Sequence, residues 1–418
     1  MDEDKKLAEN DHRRLGKELD LFVFSDLVGA GLPLFTPRGT VLRDELAKYA
    51  NELREVRGFS KIWTPHITKS ELYKISGHWD KFGNELFLVK SQETKDQLVL
   101  KPMNCPHHIQ IYASRPRSYR EMPIKLLETT TDYRDEKSGE LQGLSRVRSI
   151  TQDDSHVFAR MDQIEESIEE LIKAATEMYK TLNMSLKFRL SFKDKDEGYL
   201  GAAELWQKAE KTMEKVAKAS GLEYFLGKGD AAFYGPKIDF MALDILDRTW
   251  QVATVQLDFV QPERFKLAYV DEHGQQQRPV MIHCALLGSI ERFLAVYIEH
   301  TSGKFPLWLA PEQLRVLTIN DDQPILKLAK DVVEKAKSLN LRAGLDDSNE
   351  SVGKKIREAE TMKVPYTVVI GEKEVKSGQV TPRLRHDLGE SPTSAMALDD
   401  FLQKLAEAAK KRSTPSLV

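Results

Sequence analysis

The stretch SRVRSITQDDSH, from Ser145 to His156, is the part of the chain that decides which fold to expect. In an extended strand alternate side chains share one face, which here carries Arg146, Arg148, Ile150, Gln152, Asp154 and His156. Burying so many polar groups without partners would cost roughly several kcal/mol for each group. The stretch therefore predicts either a solvated edge strand or a strand whose polar face surrounds a charged ligand or a metal ion.

The composition excludes several classes of protein. Hydrophobic residues make up 41% and charged residues 30% of the 418 residues, which is ordinary globular composition and a length for about two or three domains. The net charge of −3 gives no bulk support for a nucleic-acid partner, which would need local patches. The charged N-terminus and the lack of a long apolar run predict neither a secretory signal nor a membrane span. Only two cysteines, Cys105 and Cys284, favour a reducing compartment, so we expect a cytoplasmic chain without a membrane partner.

Apolar spacing predicts the elements of the first three quarters of the chain. Helices are expected at 1–20, 39–57, 104–113, 162–182 and 204–220, with strands at 59–65, 96–150 and 233–287. Ser289 is a plausible N-cap for a further helix. Long strands of antiparallel type interrupted by helices predict an α+β fold, an antiparallel sheet flanked by helices.

A boundary is expected near residues 304–311, where prolines precede a change of rhythm, and it divides the chain into domains 1–308 and 309–418. The second domain is predicted to have strands at 314–319, 341–345 and 366–370, helices at 326–339, 352–361 and 398–411, and a hairpin at 372–378. Such alternation indicates a small α/β domain with crossover helices. The tail, 410–418, is expected to be disordered.

Two arginine-containing elements carry the first chemical signal. Arg134 and Arg146 lie near the ends of two strands joined by a polar, glycine-containing loop, and a pair of guanidinium groups suits a phosphate or a carboxylate. The alternative is cross-strand pairing with Glu136 and Asp153, worth at most about 1 kcal/mol on a surface. Arg292, in GSIERF (288–293), opens a predicted helix and suits a terminal phosphate, although such arginines are usually solvated.

These elements, with the strand that ends at Pro65, resemble the three signature motifs of class II aminoacyl-tRNA synthetases. The segments KPMNCPHHIQIY (101–112), AFYGPKIDF (232–240), TVQLDF (254–259) and RPVMIH (278–283), together with QDDSH, are similar to those of threonyl-tRNA synthetases. The resemblance extends from about Leu15 to the end of the last helix. It implies a class II catalytic domain (1–308), an anticodon-binding domain (309–418), a homodimer, and ATP-dependent ligation of L-threonine to tRNA(Thr) through a threonyl-adenylate.

The resemblance also implies one zinc ion per subunit, held by Cys105, His156 and His283. Considered singly, each of these residues would more often be a satisfied core residue. Three protein ligands leave an open position, which the family uses to bind the amino and hydroxyl groups of threonine. Valine lacks the hydroxyl, so a site of this kind rejects it far better than an apolar pocket would.

The remaining site residues are carried over from the family. The threonine pocket is expected to comprise Met103, Gln152, Asp154, Tyr234 and Gln256. ATP, with Mg²⁺, is expected to contact Arg134, Glu136, Arg146, Gln251 and Arg292, with the α-phosphate at Arg134 and the γ-phosphate at Arg292. Lys237 is a third catalytic candidate beside these two arginines. The anticodon is expected to contact Asn349, Glu374 and Arg383, while Lys354, Lys355 and Arg357 would bind phosphate or face water.

Some features leave alternatives open. Ile150 stands where the family usually has a phenylalanine that stacks on adenine, so we expect a modest loss of ATP affinity. The N-terminal editing domains of many relatives are missing, so the chain is an excised core, a naturally short enzyme, or one edited in trans. The rival functions are a non-catalytic tRNA-binding module derived from a synthetase, and a synthetase for serine or proline.

Overall fold

A computed structural model describes residues 7–195, 198–245 and 247–414. Its helices are α1 (His12–Glu18), α2 (Pro37–Glu55), α3 (Ser70–Ser76), α4 (His78–Phe82), α5 (Cys105–Ala113), α6 (Ile164–Thr181), α7 (Ala203–Ala219), α8 (Val260–Arg264), α9 (Ile290–Thr301), α10 (Gln323–Ser338), α11 (Val352–Thr361), α12 (Glu372–Ser377) and α13 (Leu398–Lys410). None of the helices in these ranges is long and apolar enough to cross a bilayer. Residues 1–6 of the expected lead-in helix lie outside the described residues, and α1 is shorter than expected, covering His12–Glu18. The expected disordered tail lies outside the described residues from 415 onward, but the expectation is wrong for its first residues, because Lys410 belongs to α13 and Ser413 donates its N–H to the carbonyl of Ala408 at 3.0 Å.

The strands of the first three quarters of the chain are β1 (Phe22–Val23), β2 (Leu34–Phe35), β3 (Ser60–Lys61), β4 (Ile67–Lys69), β5 (Leu88–Val89), β6 (Leu98–Leu100), β7 (Ile124–Tyr133), β8 (Ser149–Ala159), β9 (Leu186–Phe192), β10 (Tyr224–Lys228), β11 (Lys237–Leu243), β12 (Thr249–Asp258), β13 (Tyr269–Val270), β14 (Gln276–Gln277) and β15 (Val280–Ser289). The remaining strands are β16 (Leu314–Thr318), β17 (Ala343–Asp346), β18 (Tyr366–Ile370), β19 (Gln379–Val380), β20 (Arg383–Leu384) and β21 (Met396–Ala397). The strand predicted at 59–65 is reduced to the two residues of β3. Ile62 still donates its N–H to the Leu127 carbonyl at 3.0 Å, but the Thr64 N–H goes to the Glu128 side chain and Pro65 has no N–H to donate.

The chain forms two compact units. One contains residues 24–33 and 47–296, and the other contains residues 34–46 together with the described parts of 1–23 and 297–418. In the first unit eight strands form one sheet in the order β10-β9-β11-β12-β15-β8-β7-β3. Its central pairs are antiparallel and only the two outermost pairs are parallel, which confirms the predicted α+β class.

Strand β8, which contains the QDDSH segment, lies inside the sheet between β15 and β7. The edge-strand alternative is therefore wrong, and the polar face is a buried one. The register places His156 beside His283 of β15 and Asp154 beside Glu128 of β7. Residues directly opposite one another share a face, so this register gathers polar side chains from three strands on one side of the sheet.

The helix expected at 162–182 is α6, preceded by one turn of 3₁₀-helix. Its apolar stripe, including Ile168, Leu171 and Met178, is buried, and the helix packs against β12 and β15. The Tyr179 hydroxyl donates to the backbone carbonyl of Leu286 at 2.8 Å, which ties the helix to β15. This packing supports the strands that carry Gln256 and Asp258, on β12, and His283, on β15.

The second unit contains the predicted small α/β arrangement. Strands β17, β16 and β18 are parallel and β20 is antiparallel, in the order β17-β16-β18-β20. Apolar residues of β16 and β18 form a core with α10 and α13. Helix α11 occupies 352–361, as its spacing predicts.

The hairpin predicted at 372–378 is wrong, because this segment forms the short helix α12. The Glu374 carboxylate accepts the N–H of Gly371 at 3.0 Å and so caps the start of the helix. Gly378 ends it in the left-handed conformation, with φ of 66°, and donates its N–H to the carbonyl of Glu374 at 2.9 Å. The two glycines bracket a helix instead of forming a turn between strands.

Candidate active site

Three potential metal ligands converge on the polar face of the large sheet. Cys105 is the first residue of α5, while His156 and His283 lie opposite each other on β8 and β15. Their sulfur and nitrogen atoms all lie within 4.8 Å of one another, and all three residues are buried. One sulfur and two imidazole nitrogens are a donor set that suits zinc, so these residues fit the metal that the family resemblance implies.

A chain of hydrogen bonds orients the two imidazoles. His283 Nε2 lies 2.8 Å from the Asp258 carboxylate, and His156 Nδ1 lies 2.8 Å from Nδ1 of His108. His108 in turn reaches Glu128 at 3.4 Å. The remaining nitrogens, His156 Nε2 and His283 Nδ1, face each other at 2.9 Å. Carboxylate-to-histidine contacts of this kind fix the tautomer and the ring orientation of a metal ligand.

Sequence reasoning missed Asp258, His108 and Glu128. A signal existed for two of them: His108 follows Cys105 by one helical turn, and Asp258 shares a strand face with Gln256. Glu128 becomes visible only once the register between β7 and β8 is known.

Burial sets the protonation of the ligands. It raises the pKa of the Cys105 thiol well above its ordinary value and lowers the pKa of His156 well below its ordinary value. Both groups are therefore neutral at pH 7 in the protein alone, and a bound cation would favour the thiolate.

The predicted threonine-pocket residues surround this cluster. Asp154 lies on β8 with one carboxylate oxygen 3.8 Å from His156 Nε2, and its other oxygen is buried without a hydrogen-bond partner in the described residues. Tyr234 stacks on the ring of His283 at 5.0 Å, and its hydroxyl donates to Gln256. Gln152 is half-buried on the same face. The unsatisfied oxygen of Asp154 is available to a donor on a small ligand.

Arg134 extends this site beyond the end of β7. Its guanidinium lies 4.7 Å from the ring of Phe82, and one Nη lies 3.1 Å from the sulfur of Met103. Its Nε is buried without a partner, and no carboxylate in the described ranges pairs with the guanidinium. An unpaired, partly buried guanidinium is suited to bind an anionic ligand.

Arg292 is the second arginine without a carboxylate partner among the residues that the structure describes. It lies in the first turn of α9, where the Ser289 hydroxyl accepts its backbone N–H at 3.2 Å and so caps the helix as predicted. The Arg292 side chain is exposed. Its position at a helix N-terminus also favours an anion.

The other predicted ATP residues are engaged within the protein. Arg146 pairs with Glu136 at 2.7 Å and with Glu140 at 2.5 Å. The sequence left open that the two arginines pair with Glu136 and Asp153. Arg146 does pair with Glu136, whereas Asp153 pairs with Arg54 of α2 at 3.2 Å. Arg134 thus differs from Arg146, since its guanidinium is not neutralised by a carboxylate.

Lys237 and Gln251 meet at a buried carboxylate, that of Asp239. The Lys237 ammonium lies 2.9 Å from one oxygen of Asp239, and the Gln251 amide donates to the other at 2.8 Å. Arg189 also donates to this carboxylate at 2.9 Å. The structure thus places both predicted residues in one network on β11 and β12.

A buried polar layer that the sequence did not reveal lies beside Asp154. The Lys101 ammonium donates to the hydroxyls of Thr64 and Thr130 at 3.0 and 2.8 Å. Asp132 accepts from the Asn104 amide at 3.1 Å, and each of these two side chains has one oxygen without a partner in the described residues. Burial and the charge of Asp154 raise the pKa of Asp132 well above its ordinary value. Asp132 precedes Arg134 by two residues, so strand alternation could have predicted that it faces the site.

The predicted anticodon residues lie in the second unit. Asn349 is exposed in the loop that follows β17, Glu374 is on α12, and Arg383 is exposed at the start of β20. One oxygen of Glu374 is already used to cap α12. Lys355, expected to bind phosphate or face water, does neither, because it is buried at 1% exposure.

The sequence matches known protein families over most of its length. The sequence matches the family described as tRNA synthetase class II core domain (G, H, P, S and T) over residues 87–301. It matches the anticodon binding domain family over residues 313–408.

The structure is similar to a solved RNA binding domain of threonyl-tRNA synthetase from Cryptosporidium parvum, with a TM-score of 0.90 and 36% identity over 97% of this chain and 99% of that one. It is also similar to a putative threonyl-tRNA synthetase from Aeropyrum pernix, with a TM-score of 0.85 and 31% identity over 96% and 95% of the two chains.

Threonine–tRNA ligases are among the curated relatives. That of Gloeobacter violaceus is 46% identical over 98% of this chain, and that of Pelodictyon phaeoclathratiforme is 48% identical over 94% of it. The chain spans 66% and 60% of the length of these two relatives. From the core-domain match and the nearly full-length likeness to solved and curated relatives, the chain belongs to the class II aminoacyl-tRNA synthetases, in the threonyl-tRNA synthetase family.

Proposed function

We propose that this chain ligates L-threonine to tRNA(Thr) with ATP, through a threonyl-adenylate. The observation that carries the proposal is the convergence of Cys105, His156 and His283, whose potential ligand atoms lie within 4.8 Å of one another. Family membership supplies the reaction class, and this donor set favours threonine within it. We assign activation to residues 1–308 and anticodon recognition to residues 309–418.

Amino-acid selection would rest on these three ligands, which would hold one zinc ion per subunit. Bound zinc would supply an open coordination position for the amino and hydroxyl groups of the substrate. Asp154 would accept a hydrogen bond from the substrate hydroxyl through its unpartnered oxygen. The pocket would be lined by the hydrogen-bonded pair of Tyr234 and Gln256, together with Met103 and Gln152. Valine would leave these polar groups unpaired, so the pocket would reject it strongly.

Activation needs positioning and charge neutralisation more than proton transfer. The threonine carboxylate attacks the α-phosphorus of ATP, and pyrophosphate leaves. Arg134, which lacks a carboxylate partner in the described residues, would bind the α-phosphate, and Arg292 the γ-phosphate, with Mg²⁺ on the leaving group. Lys237 would add positive charge, and Glu136, Arg146 and Gln251 would contact the nucleotide.

Transfer and fidelity complete the proposal. The terminal ribose hydroxyl of tRNA(Thr) would attack the carbonyl carbon of the adenylate, forming the ester while AMP leaves. The anticodon of the same tRNA would contact Asn349, Glu374 and Arg383. We propose that the enzyme is a cytoplasmic homodimer, like the class that it resembles. Serine retains the hydroxyl and differs by one methyl group, which is worth only about 1–3 kcal/mol, so serine would be partly misactivated.

Threonine-dependent exchange of pyrophosphate into ATP tests the proposal. The zinc-loaded protein is expected to show exchange with threonine, weaker exchange with serine, and almost none with valine or proline. Cys105→Ser is expected to lose bound zinc and exchange together. Cys284→Ser is the matched control, because Cys284 is equally buried but lies next along β15 from His283, on the opposite face.

Three outcomes would contradict the proposal in whole or in part. Exchange supported by proline or serine in preference to threonine would assign the chain to a sister synthetase. No exchange with any of these amino acids, while tRNA binding persists, would favour a non-catalytic module. If Cys105→Ser kept full exchange without zinc, the selection mechanism would be wrong even if threonine were the substrate.

A further inference from the structure

Lys355 is a buried lysine at the edge of the second unit's sheet. It lies in the first turns of α11 and is only 1% exposed. Its ammonium donates to the carbonyl and hydroxyl oxygens of Thr318 at 2.9 and 3.3 Å, and to the carbonyl of Asp346 at 3.3 Å. No carboxylate oxygen in the described ranges lies within 4.0 Å of it. One ammonium group therefore joins the carboxyl ends of β16 and β17 through neutral oxygens.

This placement is unfavourable unless its hydrogen bonds compensate for it. Burial removes water from the ammonium group, and a cation near a helix N-terminus opposes the helix dipole. The neighbouring Lys354, in contrast, is exposed and pairs with Glu350 at 2.5 Å, as surface helical lysines usually do. The role of Lys355 is therefore set by the oxygens that it holds, not by contact with solvent.

One of those oxygens, the carbonyl of Asp346, lies at the start of the loop that carries Asn349. The loop, 347–350, leaves β17 at Asp346, whose carboxylate accepts the backbone N–H and the hydroxyl of Ser348 at 3.1 and 2.6 Å. At its other end Ser351 caps α11 by accepting the N–H of Lys354 at 3.3 Å. The Asn349 side chain is exposed between these two ends of the loop, and its amide oxygen and nitrogen form no hydrogen bond to a described residue.

We propose that Lys355 is a positioning residue for anticodon recognition. By binding the ends of β16 and β17 it holds the loop 347–350 in one conformation, so that Asn349 meets an unstacked anticodon base at little ordering cost. Ligands of parallel sheets bind beyond the carboxyl ends of the strands, which is where this loop lies. This inference rests on the proposed function, because it assumes that the second unit binds tRNA(Thr).

Lys355→Met tests the inference, since methionine keeps the aliphatic volume but cannot donate. The dissociation constant for tRNA(Thr), measured directly with the full chain, is expected to rise about tenfold, while threonine-dependent exchange stays within about twofold. The matched control is Lys337→Met, which removes an exposed lysine from the end of α10, and neither measurement should change. Lys355→Gln, which can restore part of the donor set, should be intermediate. Melting curves are compared so that binding is measured well below unfolding.

A double-mutant cycle separates positioning from a merely structural role. Asn349→Ala alone should weaken tRNA binding, but added to Lys355→Met it should weaken binding by much less than in the wild type. When tRNA(Thr) transcripts are substituted at each anticodon base in turn, Asn349→Ala and Lys355→Met should both lose discrimination at the same base, and at that base only. An unchanged dissociation constant in Lys355→Met, or full additivity with Asn349→Ala, would overturn the inference. Absence of exchange in the wild type would overturn the proposed function alone, because tRNA binding is measured independently.

Discussion

The candidate active site and the candidate anticodon surface are built from different parts of their sheets. The first lies on the face of an antiparallel sheet, where the strand register places His156 beside His283. The second lies at the carboxyl edge of a parallel sheet, where Asn349 is carried by a loop and Glu374 by a short helix. A side chain on a strand face is positioned by the ladder itself, whereas one on a loop depends on additional contacts.

The same difference appears in the polar groups that have no partner. In the candidate active site, Asp154 on β8 and Arg134 just beyond β7 each have a buried atom without a hydrogen bond in the described residues. At the parallel edge, the Asn349 side chain is unpartnered but exposed, and the Glu374 carboxylate is half-buried and spends one oxygen on a helix cap. Unsatisfied groups in a buried site are costly and indicate a ligand, while exposed ones can be solvated. The comparison therefore gives stronger geometric support to the active site than to the anticodon contacts.

The largest expected effect is on the rate of threonine-dependent exchange, and it should distinguish Arg134 from Arg146. Arg134→Met should lower the rate of threonine-dependent exchange by about 10²–10³-fold, because this guanidinium is free of carboxylates in the described ranges and would meet the charge that develops at the α-phosphate. Arg146→Met should lower it by no more than about tenfold, because Arg146 is already paired with Glu136 and Glu140. Steady-state exchange kinetics at varied ATP check both values. Equal losses in the two variants would contradict the distinction between them.

A smaller effect, on zinc affinity, is expected for a residue that hydrogen-bonds one of the candidate ligands. Asp258→Asn should weaken zinc binding by about 10–100-fold, because the Asp258 carboxylate, 2.8 Å from His283 Nε2, orients that imidazole. Competition with a chromogenic chelator measures the affinity. Glu263→Gln is the control, since Glu263 is an exposed residue on α8 beyond the same strand. Unchanged zinc affinity in Asp258→Asn would show that His283 does not depend on its carboxylate partner.

How far the sequence predicts the molecule follows from the same contrast. Strand alternation brings Gln152, Asp154 and His156 to one face without any further information. The meeting of His156 with His283 depends on the pairing of strands more than a hundred residues apart, and only the family resemblance indicated it. Helix α11 was predicted to the residue because its apolar spacing is local.

The errors have equally local causes. The sequence predicts the same role for Lys354 and Lys355 because adjacent lysines look alike in sequence, although Lys355 points inward to Thr318 and Lys354 pairs with Glu350 at the surface. The segment 372–378 was predicted as a hairpin because glycines at both ends are typical of turns. The capping contact of Glu374, which makes it a helix, involves a side chain whose direction the sequence does not show.

The smallest expected effect is on the stability of the second unit, and it concerns the backbone conformation of Gly378 at the end of α12. Gly378→Ala should lower the free energy of unfolding of the second unit by about 1 kcal/mol, because φ of 66° is unfavourable for alanine although an added Cβ meets no atom within 4 Å. Gly353→Ala in α11 is the matched control: its Cβ also meets open space, but its backbone is helical, so stability should rise by up to about 1 kcal/mol. Denaturant unfolding measures both, and exchange should stay unchanged in each. Equal destabilisation by the two substitutions would contradict this reasoning, because an added Cβ meets open space at both positions and only Gly378 has a left-handed backbone.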